Sequence, residues 1–242
     1  MLFKNDVVLT NDDGIDAAGL SALAKALTPL IDGTLYVVAP SKGYSGCSQQ
    51  VTMDSPLSVA SLGNNRFAVD GSPADCVRLA LTHLAPSCGL VLSGINHGGN
   101  MGHDILLSGT VGAARESAML GVSAIALSQY FHGRAESNNW SVSVEKALVA
   151  LRAIGSQGVG DGALWNINLP HGAQPEGGSD VVFCTPCTAT LPVAYTRVGD
   201  VFQYDGSRYH ERAQLPGTDV SACFGGAIAI SRLAVGPRSL GH

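Results

Sequence analysis

The sequence predicts an α/β fold: a Rossmann-like, doubly wound and mainly parallel sheet with a β-rich C-terminal extension. Three observations predict it. Apolar runs of strand length alternate with segments of helical period over roughly the first 170 residues. Those runs are apolar at consecutive positions, the pattern of strands covered on both faces. Past Pro170 the helical period fades, and β-type runs separated by turn residues take over.

Taken in order, Val7-Val8-Leu9-Thr10 is a β-branched-rich run that stops at Asn11-Asp12-Asp13-Gly14, a turn sequence. Leu20, Leu23, Ala24, Leu27 and Leu30 then recur at helical spacing, with Pro29 marking the end of that helix. Leu35-Tyr36-Val37-Val38-Ala39 repeats the strand signal up to Pro40, which completes a β-α-β unit. Gly89-Leu90-Val91-Leu92-Ser93 reads as a third buried strand. Residues 111–120 read as a helix opened by Ser108-Gly109-Thr110, and 122–127 as a fourth strand. Val144, Leu148 and Leu151 share one face of a helix over 142–154, and Leu164-Trp165-Asn166-Ile167-Asn168-Leu169 is a fifth strand. A stretch rich in Gly, Pro and polar residues follows, then β-type runs at 181–184 and 226–230. The expected division is an α/β catalytic core over residues 1–171 and a β-rich extension over 172–242.

Composition narrows the function classes. A chain of 242 residues, 45% hydrophobic, can bury a full core, which excludes disorder. Only 14% of residues are charged, against about 25% in an average globular protein, so part of the surface is expected to lie between subunits. The glycine-rich extension cannot form its own core and is expected to make those contacts, in a homodimer or homotetramer. With 14 Lys+Arg against 19 Asp+Glu and no basic block, the chain lacks the electrostatic footprint for duplex nucleic acid or an anionic membrane. The opening breaks its apolar run at Lys4, Asn5 and Asp6, unlike a signal peptide, and no apolar run approaches a membrane span. Six cysteines are too sparse for a secreted disulfide scaffold, so a cytoplasmic enzyme with reduced thiols is expected.

Ligands of open parallel sheets bind at the carboxyl ends of the strands. Three polar clusters fall there: Asn11-Asp12-Asp13-Gly14, residues 41–48, and Ser93-Gly94-Ile95-Asn96. Asp12 and Asp13 would repel if buried side by side without a cation, and a hard divalent ion such as Mg²⁺ or Mn²⁺ removes that conflict. An isolated Asp-Asp-Gly is better read as a turn. Two further features weigh against that reading. The segment Asn96-His97-Gly98-Gly99-Asn100-Met101-Gly102 is a glycine-rich polar loop directly after a strand, where bare backbone can approach a ligand. Ser108-Gly109-Thr110 opens a helix whose free amides suit a phosphate, although an ordinary N-cap explains Ser108 alone.

The order of these clusters resembles the SurE family of metal-dependent 5′/3′-nucleotidases, also called survival or stationary-phase acid phosphatases. The segments that carry the resemblance are Leu9-Thr10-Asn11-Asp12-Asp13-Gly14-Ile15, Val37-Val38-Ala39-Pro40 followed by Ser45-Gly46, and Gly71-Ser72-Pro73-Ala74-Asp75-Cys76-Val77. Ser93-Gly94-Ile95-Asn96, Asn100-Met101-Gly102 and Ser108-Gly109-Thr110-Val111 complete the set, over roughly the first half of the chain. The resemblance implies one divalent ion per subunit held by Asp12, Asp13, Ser45 and Asn96. It also implies that Asn11 lies with Ser108, Gly109 and Thr110 around the scissile phosphate of a nucleoside monophosphate, Asp12, Asp13 and Asn11 being the catalytic residues. Past Leu127 the likeness thins to Asn166-Ile167-Asn168-Leu169-Pro170, Gly217-Thr218-Asp219 and Ala227-Ile228-Ala229-Ile230, and the usual terminal helix is missing.

Other features weigh less. Cys184-Thr185-Pro186-Cys187 has redox or half-zinc spacing but no second pair, so an ordinary loop is expected. His97 and His103 flank the proposed site as weaker general-acid candidates, and Asp104 is expected to order its loop. No Gly-x-Ser-x-Gly elbow surrounds Ser93 or Ser108, which disfavours a serine hydrolase. The alternative from another class is a non-catalytic nucleotide- or sugar-binding domain.

Overall fold

A computed structural model of the chain describes residues 2–132, 140–172 and 180–236. In chain order the elements are β1 (Val7–Thr10), α1 (Ala18–Leu27), β2 (Leu35–Pro40), β3 (Val59–Gly63), β4 (Arg66–Val69), α2 (Pro73–Leu79), β5 (Leu90–His97), α3 (Asp104–Leu107) and α4 (Gly109–Met119). They continue with β6 (Ala124–Gln129), α5 (Trp140–Gln157), β7 (Leu164–Leu169), β8 (Val181–Phe183), β9 (Tyr195–Val198), β10 (Val201–Tyr204), α6 (Asp219–Phe224) and β11 (Ile228–Leu233).

Nine strands form one sheet in the order β3-β4-β2-β1-β5-β6-β7-β11-β8, parallel from β4 through β7, with β3 and β11 antiparallel to their inner neighbours. Consecutive apolar residues send alternate side chains to opposite faces. Val7 and Leu9 pack with Leu20 and Leu23 of α1 and Leu151 of α5, whereas Val8 packs with Val77 of α2 and Val111 of α4. The doubly wound, mainly parallel α/β sheet expected from the sequence is therefore present. Chain order places β2 on one side of β1 and β5 on the other, so the sheet reverses its winding at β1. The crevice beyond that switch point is where such sheets bind ligands.

Several elements differ from the sequence reading. The third strand runs beyond Ser93 to His97 through a register shift between Ser93 and Asn96, so Asn96 sits on a strand end instead of in a loop. Gly94, at φ +142°, permits that shift, because a Cβ there would run into the Leu127 carbonyl. The β3–β4 hairpin and α2 were not anticipated. Beyond residue 180, β11 and β8 extend the main sheet, α6 adds one short helix, and β9 with β10 forms a separate hairpin.

Candidate active site

The acidic turn closes itself. Asn11 is fully buried, its amide donating to the Gly14 carbonyl at 2.9 Å and its Oδ1 accepting from the Gly14 N–H at 3.2 Å. These two bonds close the turn through the Asn11 side chain, whose amide keeps a second hydrogen and a second acceptor lone pair. Asp12 is only 6% exposed. Its Oδ1 accepts from the Thr110 hydroxyl at 2.5 Å, across 98 residues of sequence. Burial is the main force that pushes its carboxyl up to about 6; the Thr110 hydrogen bond opposes this, and the charge of Asp13 adds to it. Asp13 Oδ2 accepts from the His97 N–H at 2.9 Å.

The other clusters converge on the same turn. The Tyr44 N–H donates to the Asp12 carbonyl at 2.7 Å, which lays the loop after β2 against the acids. Ser45, next in that loop, is exposed at its rim. The Asn96 amide donates to the Gly98 carbonyl at 2.8 Å, which fixes the side chain and leaves Oδ1 as an acceptor. At the start of α4, Ser108 caps the helix by accepting from the Val111 N–H at 3.1 Å. Gly109 lies flat against the acid: a Cβ there would stand 2.8 Å from the Asp12 Cβ and the Cys47 Sγ. The segment expected around the phosphate thus holds Asp12 through Thr110 as well as presenting a helix start.

Residues 7–191 match the family described as Survival protein SurE. The chain belongs to the SurE family. A Synechocystis sp. protein named for an inferred 5′-nucleotidase activity is 44% identical over 229 residues, 94% of this chain and 99% of that one. A Burkholderia lata protein named 5′-nucleotidase SurE 1 is 43% identical over 166 residues, 68% of this chain and 63% of its own. The crystal structure of the SurE protein from Aquifex aeolicus superposes with a TM-score of 0.83 at 29% identity, over 96% of this chain and 94% of that one.

The donor set of this SurE-family chain suits a hard cation. Neither Asp12 nor Asp13 has an ion-pair partner among the described residues, and one of the two is buried against its like-charged neighbour. Two carboxylates, an amide oxygen and a hydroxyl are oxygen donors of the kind Mg²⁺ or Mn²⁺ takes, with waters completing the shell. No group of three His, Cys, Asp or Glu side chains suited to a metal occurs among the described residues, so a site richer in nitrogen or sulfur is not assembled there.

Several supporting residues escaped the sequence reading. Asp104 is bound by both arms of Arg212 at 2.7 and 2.9 Å and by the Tyr209 hydroxyl at 3.0 Å, so it orders its loop as expected, but through partners in the extension. Asp219, fully buried, accepts from the Gly102 and Cys187 N–H groups, both at 2.8 Å. Asn100 is held by Asn166, Asn168 and Ser128, which explains the Asn-Ile-Asn strand: its polar side chains anchor the glycine-rich loop. Cys184 and Cys187 lie in a loop, and all six cysteines are free thiols. His103 turns its ring to the Thr188 carbonyl at 3.3 Å.

Proposed function

We propose that this chain is a divalent-metal-dependent phosphomonoesterase that hydrolyses nucleoside monophosphates, at the 5′ or 3′ position, to nucleoside and phosphate. The carrying observation is the pair Asp12 and Asp13, without an ion-pair partner among the described residues, with Asp12 set against the start of α4 at the switch point of the sheet. Relatives named as 5′-nucleotidases support the choice of ester. Asp12, Asp13, Ser45 and Asn96 would hold one Mg²⁺ or Mn²⁺ per subunit. Such an ion supplies Lewis-acid polarisation of the phosphate and acidifies the attacking water.

The chain's own residues do the rest. Thr110 favours the ionised form of Asp12 by donating to it. The His97 amide orients Asp13, and Gly98 orients the Asn96 amide. Amides at the start of α4 and the Ser108 hydroxyl receive the anionic oxygens, and Asn11 keeps the turn closed around them. His97 is the better-placed acid for the leaving alkoxide, since His103 is engaged with Thr188. Phosphate release from AMP and 3′-AMP, measured with Mn²⁺, Mg²⁺ or EDTA, tests the reading. Release that requires metal supports it; no release with any metal leaves the non-catalytic nucleotide-binding alternative.

The partners follow from the surface. Among the described residues no helix is long and apolar enough to cross a membrane, and we place the enzyme in the cytoplasm. The β9–β10 hairpin exposes Tyr195, Val198, Val201 and Phe202, the last two at 67% and 66%. A patch of that kind on a projecting hairpin favours a homodimer or homotetramer in which residues 172–242 make subunit contacts. A monomer in sedimentation at micromolar concentration would refute this.

A further inference from the structure

We propose that the cleft beside Asp13 seats the planar ring of the ester's leaving group, with Phe131 and His97 among its aromatic walls. The His97 backbone touches the carboxylate of Asp13 while its ring lines a cavity of about 230 Å³. The walls of that cavity are rings: His97, Tyr130, Phe131, Tyr209 and His210. Its volume lies below the roughly 300–1,000 Å³ of sites for drug-sized ligands, which suits a single ring system. Among the described residues its lining is aromatic rings, two of them imidazoles, and the backbone of Gly98 and Gly99, surfaces suited to a planar ring.

The rings are already oriented. Those of His97 and Phe131 have centroids 4.7 Å apart at 31°, and Trp140 meets Phe131 edge-on at 88°, which fixes its plane. At the rim the Tyr130 hydroxyl lies 2.8 Å from His210 Nδ1 and 3.2 Å from His132 Nδ1, a polar edge for ring heteroatoms. Tyr209 is tied by its hydroxyl to the Gly99 carbonyl and Asp104. Two walls therefore come from the extension, which makes ring preference a joint property of core and extension. Stacking recognises any planar π-face, so the cleft demands a ring without demanding one particular base.

This inference rests on the phosphatase reading for its link to turnover, and the experiment separates the two. Adenosine binding to the full chain with Mn²⁺ present is measured by calorimetry, beside kcat/KM for AMP and for glycerol 2-phosphate, which carries no ring. Phe131→Leu is expected to weaken adenosine and raise KM for AMP about tenfold, leaving kcat and the glycerol 2-phosphate rate within about twofold. Phe131→Tyr is expected to keep wild-type values. Equal losses on both esters, or no adenosine binding by wild type, overturn the proposal. Absence of hydrolysis of either ester refutes the phosphatase reading alone, because adenosine binding still reads the cleft.

Discussion

Replacing Gly109 by alanine tests whether the start of α4 is the wall that positions Asp12. A Cβ at this position would stand 2.8 Å from the Asp12 Cβ and the Cys47 Sγ, and 2.9 Å from Asp12 Oδ2. Ordinary contact begins at 3.4 Å, so these groups must give by about 0.6 Å. Crowding of this kind costs about 1–3 kcal/mol. The φ of Gly109 is not positive, so alanine fits the helix backbone and returns about 0.5–1 kcal/mol. The net loss of about 0–2.5 kcal/mol lowers Tm by at most about 10 °C at roughly 2–4 °C per kcal/mol. The effect on chemistry is larger, because a misplacement of about 1 Å can cost on the order of 10²-fold, so about 0.6 Å predicts a fall in kcat/KM of tenfold or more. The assay is Mn²⁺-dependent phosphate release from AMP, well below Tm. Gly155→Ala, in an open position on α5, is the control and should gain about 0.4–1 kcal/mol with unchanged activity. Unchanged kcat/KM in Gly109→Ala, or a loss only in step with the unfolded fraction, refutes the reasoning.

Three further outcomes follow from the site. Asp12→Asn and Asp13→Asn should each abolish metal-dependent turnover without lowering the metal-free Tm, and wild-type rates in both would refute the ligand assignment. Arg212→Ala leaves Asp104, 20% exposed, without its bidentate partner; the expected cost is about 3–5 kcal/mol by denaturant unfolding, and Arg212→Lys should recover only part of it. Burial, then the charge of His132, holds the His210 imidazole below its ordinary value. Neutral His210 is thus favoured in the folded state, so its contribution is complete above about pH 6.5 and is lost as pH falls below that toward the lowered folded value. His132→Ala should move the His210 midpoint upward in an NMR titration, and an unmoved midpoint would show that His132 is not a cause.

The strands β1, β2, β5 and β6 were legible because each carries three or more consecutive apolar residues buried on both faces, and β7 because Leu164, Trp165, Ile167 and Leu169 frame its two asparagines. The β3–β4 hairpin was not: Val59–Gly63 is exposed throughout and carries no alternation that a buried face would impose. The positions of the acidic turn and of Asn96 at the carboxyl ends of β1 and β5 were readable because each follows an apolar strand run in sequence. The bonds that set them were not, since Thr110 reaches Asp12 across 98 residues and Arg212 reaches Asp104 across 108. Nothing in the spacing of Asp104 or Asp219 signals a partner; only the packing of the extension on the glycine-rich loop creates one.

That packing divides the extension into two parts with different consequences. β8, α6 and β11 complete the sheet beyond β7 and brace the loop through Asp219, so ending the chain at residue 171 uncovers the β7 edge and strips the Gly102 N–H of its acceptor. An uncovered apolar edge strand is an aggregation site, and that truncation should be insoluble. The β9–β10 hairpin pairs only with itself, and its ends meet where the Asp205 N–H donates to the Ala194 carbonyl at 2.9 Å. Replacing residues 195–204 by a short Gly-Ser turn closes that gap without disturbing the sheet. The shortened chain should keep its Tm within a few degrees, roughly 1 kcal/mol in a domain of this size, and should keep Mn²⁺-dependent hydrolysis of AMP. If the chain forms the proposed homodimer or homotetramer through this hairpin, its sedimentation coefficient should fall to that of a smaller assembly. If the assembly survives intact, the exposed apolar residues of the hairpin are not what holds the subunits together; if the sheet unfolds, the hairpin braces the core in a way its contacts do not reveal.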